Sequence, residues 1–200
     1  MRVEHSGQAP TIDPGATVAA SAVVSGDVRL GAGCRVLHGA VLTAESGPVT
    51  LGRNVIVMEH AVIRGTARHP VEIGNHVLVG PQSHLTGCTI AEGVFIATGA
   101  AIFNGAVLEE GVEVRIGGVV HVKSRLPVGT VVPIGWVAVG DPAEVLPPEA
   151  HDRIWALQAP LDFPRTVFGL DRDDPVTLTR RLTGRYSVAL AAHDGDRILD

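Results

Sequence analysis

Aliphatic residues recur every six positions along most of this chain. Val18, Val24, Leu30, Val36 and Leu42 set the spacing. Leu51, Val57 and Ile63 resume it after one interruption, and Ile73, Val79 and Leu85 after a second. A contraction at Gly87-Cys88 then resets the frame to Ile90, Ile96, Ile102, Leu108, Val114, Val120, Leu126 and Val132. Two residues before most of these stands a small or β-branched residue, such as Ala22, Cys34, Ala40, Ala61, Ser83 or Ala100. Glycines such as Gly33, Gly39, Gly93, Gly105 and Gly111 punctuate the intervals. A period of six fits a short extended segment followed by a bend, with three such units closing one triangular coil. The aliphatic side chain then points into the prism and stacks on its counterpart one coil away. The second inward position lies near a vertex and must be small, and glycine relieves the backbone where it turns. A sandwich of alternating strands would show a period of two, with irregular spacing between strands. The pattern therefore predicts an all-β solenoid of stacked parallel coils.

The repeat stops at Asp141-Pro142-Ala143. This divides the chain into a β-helical part, 1–142, and a helical extension, 143–200. Pro147-Pro148 breaks the chain, and residues 148–157 read as a helix with proline near its start. A second helix is expected over 176–192, where Leu178, Leu182, Tyr186 and Leu190 form one stripe. Such an extension has to pack on a face of the prism or on a neighbouring subunit.

Composition sharpens this picture. The chain is 46% hydrophobic but only 4% aromatic, which suits thin layers of small aliphatic side chains. A net charge of −5 leaves no basic face for phosphates, so no nucleic-acid partner is expected. Cys34 and Cys88 form no C-x-x-C pair and fall at small inward positions, as reduced packing thiols do. The first ten residues lack the apolar core of a signal peptide, and no apolar run suffices to span a bilayer. A cytoplasmic protein without membrane contact is the expectation.

Several local features resemble the γ-class carbonic anhydrases and their relatives in the hexapeptide-repeat superfamily. They are Ser25-Gly26-Asp27-Val28, Ala40-Val41-Leu42, the insertions before Leu51 and Ile73, and the contracted turn Leu85-Thr86-Gly87-Cys88-Thr89-Ile90. The closing segment Val139-Gly140-Asp141-Pro142-Ala143-Glu144 occurs in hexapeptide acyltransferases as well. The resemblance implies a left-handed coil, against the general rule for parallel crossovers, and a homotrimer. In that family three histidines from two adjacent subunits hold a catalytic zinc. The resemblance puts their positions at Arg64, Pro81 and Thr86. It also sets Thr43 and Glu45 at the arginine and aspartate of a V-L-R-G-D motif, and Met58 and Glu59 at a glutamine and a second aspartate.

Zinc needs three strong neutral or anionic ligands and an open position. A guanidinium keeps its proton near neutrality, proline offers no side-chain donor, and a threonine hydroxyl is a poor ligand. No zinc, and no other metal or cofactor, is expected at these positions, and with it no zinc-hydroxide chemistry. Arg64 instead puts a fixed positive charge there, with Glu45 and Glu59 as natural partners. Two readings follow: a salt bridge between subunits in place of a metal, or a pocket where Arg64 binds a small anion or carboxylate. Register also groups Thr43, Arg64, Thr86, Phe103 and His121 in one row, with His84 nearby. An acyltransferase using coenzyme A remains an alternative, with His84 or His121 as general base. A metalloenzyme with relocated ligands, drawn from His38, His84 and Glu59, is another. His60, His69 and His76 read as exposed loop or corner residues.

Overall fold

The computed structural model describes residues 1–199. The chain winds as a left-handed parallel β-helix of about eight turns followed by short helices. Its strands line up in three sheets that form the faces of a triangular prism. The first face is ten-stranded and contains Val23–Ser25, Val41–Thr43, Val62–Arg64, His84–Thr86 and Ala101–Ile102 in spatial order. The second face runs from Thr11–Ile12 to Arg125–Leu126, and the third from Thr17–Val18 to Val131–Val132, each with seven strands.

The hexad explains the register. Leu42 pairs with Ile63, Ile63 with Leu85, and Leu85 with Ile102, so aliphatic residues stack directly along the first face. Leu51, Ile73, Ile90 and Leu108 do the same on the second, and Val57, Val79, Ile96 and Val114 on the third. The inward residues from Val24 to Val132 are buried, and Ala22, Cys34, Ala40, Ala61, Ser83 and Ala100 fill the vertices. Both cysteines are reduced and buried, and burial pushes the Cys88 thiol up to about 12.

The three departures from the six-residue period share one corner. The insertions lie between Leu42 and Leu51 and between Ile63 and Ile73, and the contraction between Leu85 and Ile90. All three join the first face to the second, in successive coils. The two insertion loops bond to one another, with the Ala67 amide donating to Ser46 Oγ at 3.0 Å. Gly87, in the contracted turn, has φ +53°, and a Cβ there would meet the His69 backbone oxygen at 2.8 Å. Only glycine fits a corner shortened by one residue under that loop.

The extension is partly strand. Ala143–Leu146 turns back antiparallel on Val137–Gly140. Helix α1 covers His151–Gln158, starting three residues past the proline pair, with no side-chain cap on its first amides. Helix α2 covers Pro175–Leu190, with proline in its first turn and the Asp174 carboxylate accepting from the amides of Val176 and Thr177. The described chain ends in Arg197–Leu199, which pairs antiparallel with Arg2–Glu4. No helix among the described residues is long and apolar enough to cross a membrane.

Replacing Leu85 by alanine removes a fully buried side chain from a stack with Ile63 above and Ile102 below. The expected cost is about 2–5 kcal/mol, against less than about 0.5 kcal/mol for Ile134→Ala at an exposed corner. Denaturant midpoints of the two variants check this difference.

Candidate functional site

The irregular corner and the extension enclose a cavity of about 460 Å³. Its floor is the edge of the first face and the insertion loops, including Glu45, Arg64, Arg68, His69, Thr86 and Phe103. Residues 163–168 and α2 form its roof, through Phe163, Phe168, Leu182, Tyr186, Ala189 and Leu190. The stripe on α2 foreseen from spacing thus turns toward the cavity rather than into a core. One protomer supplies both floor and roof.

Two properties set this cavity apart from the rest of the molecule. Three of the chain's four phenylalanines and its one tyrosine line it. Phe168 makes edge contacts with Phe163 at 5.5 Å and with Tyr186 at 5.8 Å between ring centroids. The charge of its lining is positive: Arg64, Arg68 and Arg185 face one carboxylate, Glu45. Arg64 Nη2 donates to Glu45 Oε2 at 3.0 Å. Among the described residues Arg68 makes no ion pair, and Arg185 donates only to the carbonyls of Phe168 and Gly169.

The strands place the residues singled out in the sequence with unequal success. Arg64 lies between Thr43 and Thr86 in direct register, and Phe103 and His121 continue that row. His84 projects from the same face two residues before Thr86, and its Nε2 meets the Thr86 hydroxyl at 2.8 Å. Within the protomer the carboxylate paired with Arg64 is Glu45, and Glu59 makes no ion pair with it. Glu59 precedes the strand Val62–Arg64 at one corner, whereas Arg64 closes that strand at the other. Pro81 sits with Glu59 at that first corner, outside the cavity lining. His38 bonds Ser21 Oγ at 2.8 Å and joins no metal-binding cluster among the described residues. His60 and His76 are corner residues with positive φ, as their spacing suggested. His69 instead lines the cavity.

Burial lowers the pKa of three imidazoles near this corner. Burial, and then the Arg64 charge, lowers the His84 pKa. Burial lowers that of His121, whose Nδ1 is buried without a partner. Burial lowers that of His69 too, with Lys123 and Arg68 adding to it.

A second cluster adjoins the floor through Glu45. His193 Nε2 lies 3.1 Å from Glu45 Oε1, and His193 Nδ1 lies 2.8 Å from Asp196 Oδ2. The other oxygen of Asp196 is 2.6 Å from Nδ1 of His5, which is 3% exposed. The hydrogen bond with Asp196 raises the His193 pKa against the opposing effect of burial. His5, His193 and Asp196 are the one group among the described residues whose donor atoms converge as metal ligands do. Spacing gave no signal for them, because they come from opposite ends of the chain.

No family model matches the chain. It is 31% identical over 93 residues to mitochondrial gamma carbonic anhydrase 3 of Arabidopsis thaliana, covering 44% of this chain and 36% of that one. It is 33% identical over 95 residues to gamma carbonic anhydrase 1 of the same plant, covering 44% and 34%. The matched segment spans about a third of the length of these relatives. Among solved structures, a hexapeptide transferase family protein from Anaplasma phagocytophilum aligns over 96% of both chains with a TM-score of 0.51 at 19% identity. The UDP-N-acetylglucosamine acyltransferase of Francisella novicida aligns over 96% of this chain and 90% of its own, with a TM-score of 0.54 at 15% identity. The chain is therefore similar in sequence to γ-class carbonic anhydrases, and its fold is the hexapeptide-repeat β-helix.

The resemblance read from the sequence puts the zinc-ligand positions of γ-class carbonic anhydrases at Arg64, Pro81 and Thr86, whose side chains offer a guanidinium, a pyrrolidine ring and a hydroxyl engaged with His84. This donor set does not fit zinc.

The lowered pKa values give a pH signature. A histidine with its folded pKa below the ordinary 6.5 binds fewer protons than in the unfolded chain. Its contribution is present above that value and is lost as pH falls through it toward the folded pKa. His193 runs the other way, so the readout is a difference between proteins. Between about pH 7.5 and about pH 5.5 the melting temperature of His121→Gln should fall less than that of the parent. Parallel thermal melts check this.

Proposed function

We propose that this protein binds a small carboxylate with an apolar or planar body in the cavity over Arg64. The carrying observation is the lining itself, three guanidiniums against one carboxylate under a roof of aromatic rings. A guanidinium pairs a carboxylate through two parallel N–H donors, and an apolar cavity strengthens that pairing by excluding water. Arg68 and Arg185, which have no carboxylate partner among the described residues, are the groups an incoming anion neutralises. The volume lies within the range of about 300–1,000 Å³ usual for small-molecule sites. On this reading zinc plays no part at Arg64, Pro81 and Thr86, and carbon dioxide hydration does not occur through those positions.

The working form is a homotrimer packed along the face that carries Arg64 and Glu59. Outward on that face stand Val23, Val41 and Val62, then the exposed His84, then Ala101, Val119 and Val137, so half-buried aliphatic residues make up all but one position of the row. A closed threefold assembly covers one such row per protomer.

The second reading is acyl transfer from coenzyme A. It is favoured by His84 and His121, imidazoles on one face whose pKa burial lowers, the latter with an Nδ1 that has no hydrogen-bond partner among the described residues.

Calorimetry with benzoate, hexanoate and their methyl esters tests the first reading. The acids should bind and the esters should not. Arg64→Ala should weaken the acids roughly 10- to 100-fold, the value of a charge-assisted hydrogen bond of about 1.5–3 kcal/mol. Binding of coenzyme A that is indifferent to Arg64→Ala but lost in His121→Ala would favour acyl transfer instead. Sedimentation at micromolar concentration should give a trimer, and a stable monomer would refute that part.

A further inference from the structure

Asp196 stands between two histidines whose other nitrogens are both committed to Glu45. His193 Nε2 faces the Glu45 carboxylate at 3.1 Å, and His5 Nε2 faces the Glu45 backbone carbonyl at 3.2 Å. Glu45 thus anchors both rings at Nε2, and Ser6 Oγ stands 3.3 Å from Nε2 of His5. Each Nδ1 is left turned toward a different oxygen of Asp196, at 2.6 and 2.8 Å. The three donor atoms, from opposite ends of the chain, converge as metal ligands do.

The two rings stack with centroids 4.4 Å apart, so both Nδ1 atoms approach the same carboxylate. His5 is buried, and Arg64 holds one oxygen of Glu45. One divalent cation can take both Nδ1 atoms and a carboxylate oxygen from this arrangement. Metal-bound histidines routinely donate their other ring N–H to a carboxylate or a backbone carbonyl, which fixes the tautomer and the ring plane. Glu45 does this for both rings at once.

We propose that His5, His193 and Asp196 form a binding site for a divalent transition cation, with Glu45 orienting the two histidines through their Nε2 protons. Two imidazoles and a carboxylate are a donor set that zinc accepts, with a fourth position left for water. Zinc ligands stand about 3–3.5 Å from one another, so the donors must open slightly. His5 is fixed by burial. His193 and Asp196, on the exposed turn between α2 and the final strand, are free to adjust. The site is separate from Arg64, Pro81 and Thr86 and does not depend on the carboxylate reading.

The test is direct metal binding to the full chain. After chelation and dialysis, zinc titration should give one equivalent per chain and raise the melting temperature. Cobalt should give the visible bands of a low-coordinate nitrogen–oxygen site. His193→Ala lies outside the prism and should keep the fold, while lowering zinc affinity by at least about tenfold and abolishing the thermal shift. His5→Ala should do the same. His76→Asn, at an exposed corner, should bind zinc as the parent does. The proposal fails if zinc binds substoichiometrically, or if one equivalent persists in both His5→Ala and His193→Ala. It also fails if nitrogen NMR of the metal-free and zinc-treated protein finds both rings as imidazolium throughout.

Discussion

The structure rests on one constraint, that an inward aliphatic side chain must lie directly over its counterpart in the next coil. Thin layers of Val, Ile and Leu have no depth to absorb a misplaced residue, so the stack tolerates no slip along the strand. Everything that departs from the period is therefore forced outward. Leu42 to Leu51 and Ile63 to Ile73 are longer steps than a hexad, and Leu85 to Ile90 is shorter. Yet Leu51, Ile73 and Ile90 still pair in register. The surplus residues appear as loops, and the deficit as a turn that only Gly87 accommodates.

That division of labour explains where the chemistry sits. A regular coil presents its outward side chains on flat faces and offers no concavity. Three irregularities at one corner, in consecutive coils, break the flatness and leave a ledge carrying Glu45, Arg64, Arg68 and His69. The extension then places the aromatic residues that the prism cannot hold over this ledge. An aromatic ring inside the stack would force the coils apart, so the few rings present gather where the period is broken.

Legibility in the sequence follows the same line. The solenoid could be read because its governing interaction repeats at a fixed spacing, and every inward residue from Val24 to Val132 lies where the hexad puts it. The row Thr43, Arg64, Thr86 was equally readable, since register propagates across coils. Within the protomer Glu59 stands away from Arg64, because position along a strand decides which corner a side chain reaches. The stripe on α2 was readable, but its place over a cavity was not, and the cluster of His5, His193 and Asp196 left no trace in spacing. Both depend on how an aperiodic extension returns to the prism, and that path is set by packing and by the pairing of Arg197–Leu199 with Arg2–Glu4. His69 was taken for a plain loop residue because its loop looks like an insertion rather than a wall.

The antiparallel strands at the two ends of the first face have a consequence for assembly. A coil that is its own translational copy is a template, since the open edge of the last turn matches the open edge of the first. Left bare, such ends would join molecule to molecule into an unlimited fibre. Here Ala143–Leu146 closes one end of the ten-stranded face, and Arg197–Leu199 closes the other, both running against the direction that a further coil would need. The remaining edges, Thr11–Ile12 with Arg125–Leu126 and Thr17–Val18 with Val131–Val132, are two residues long and too short to nucleate pairing alone. Reversing the polarity of two short strands is thus enough to make a periodic polymer motif terminate as a discrete molecule.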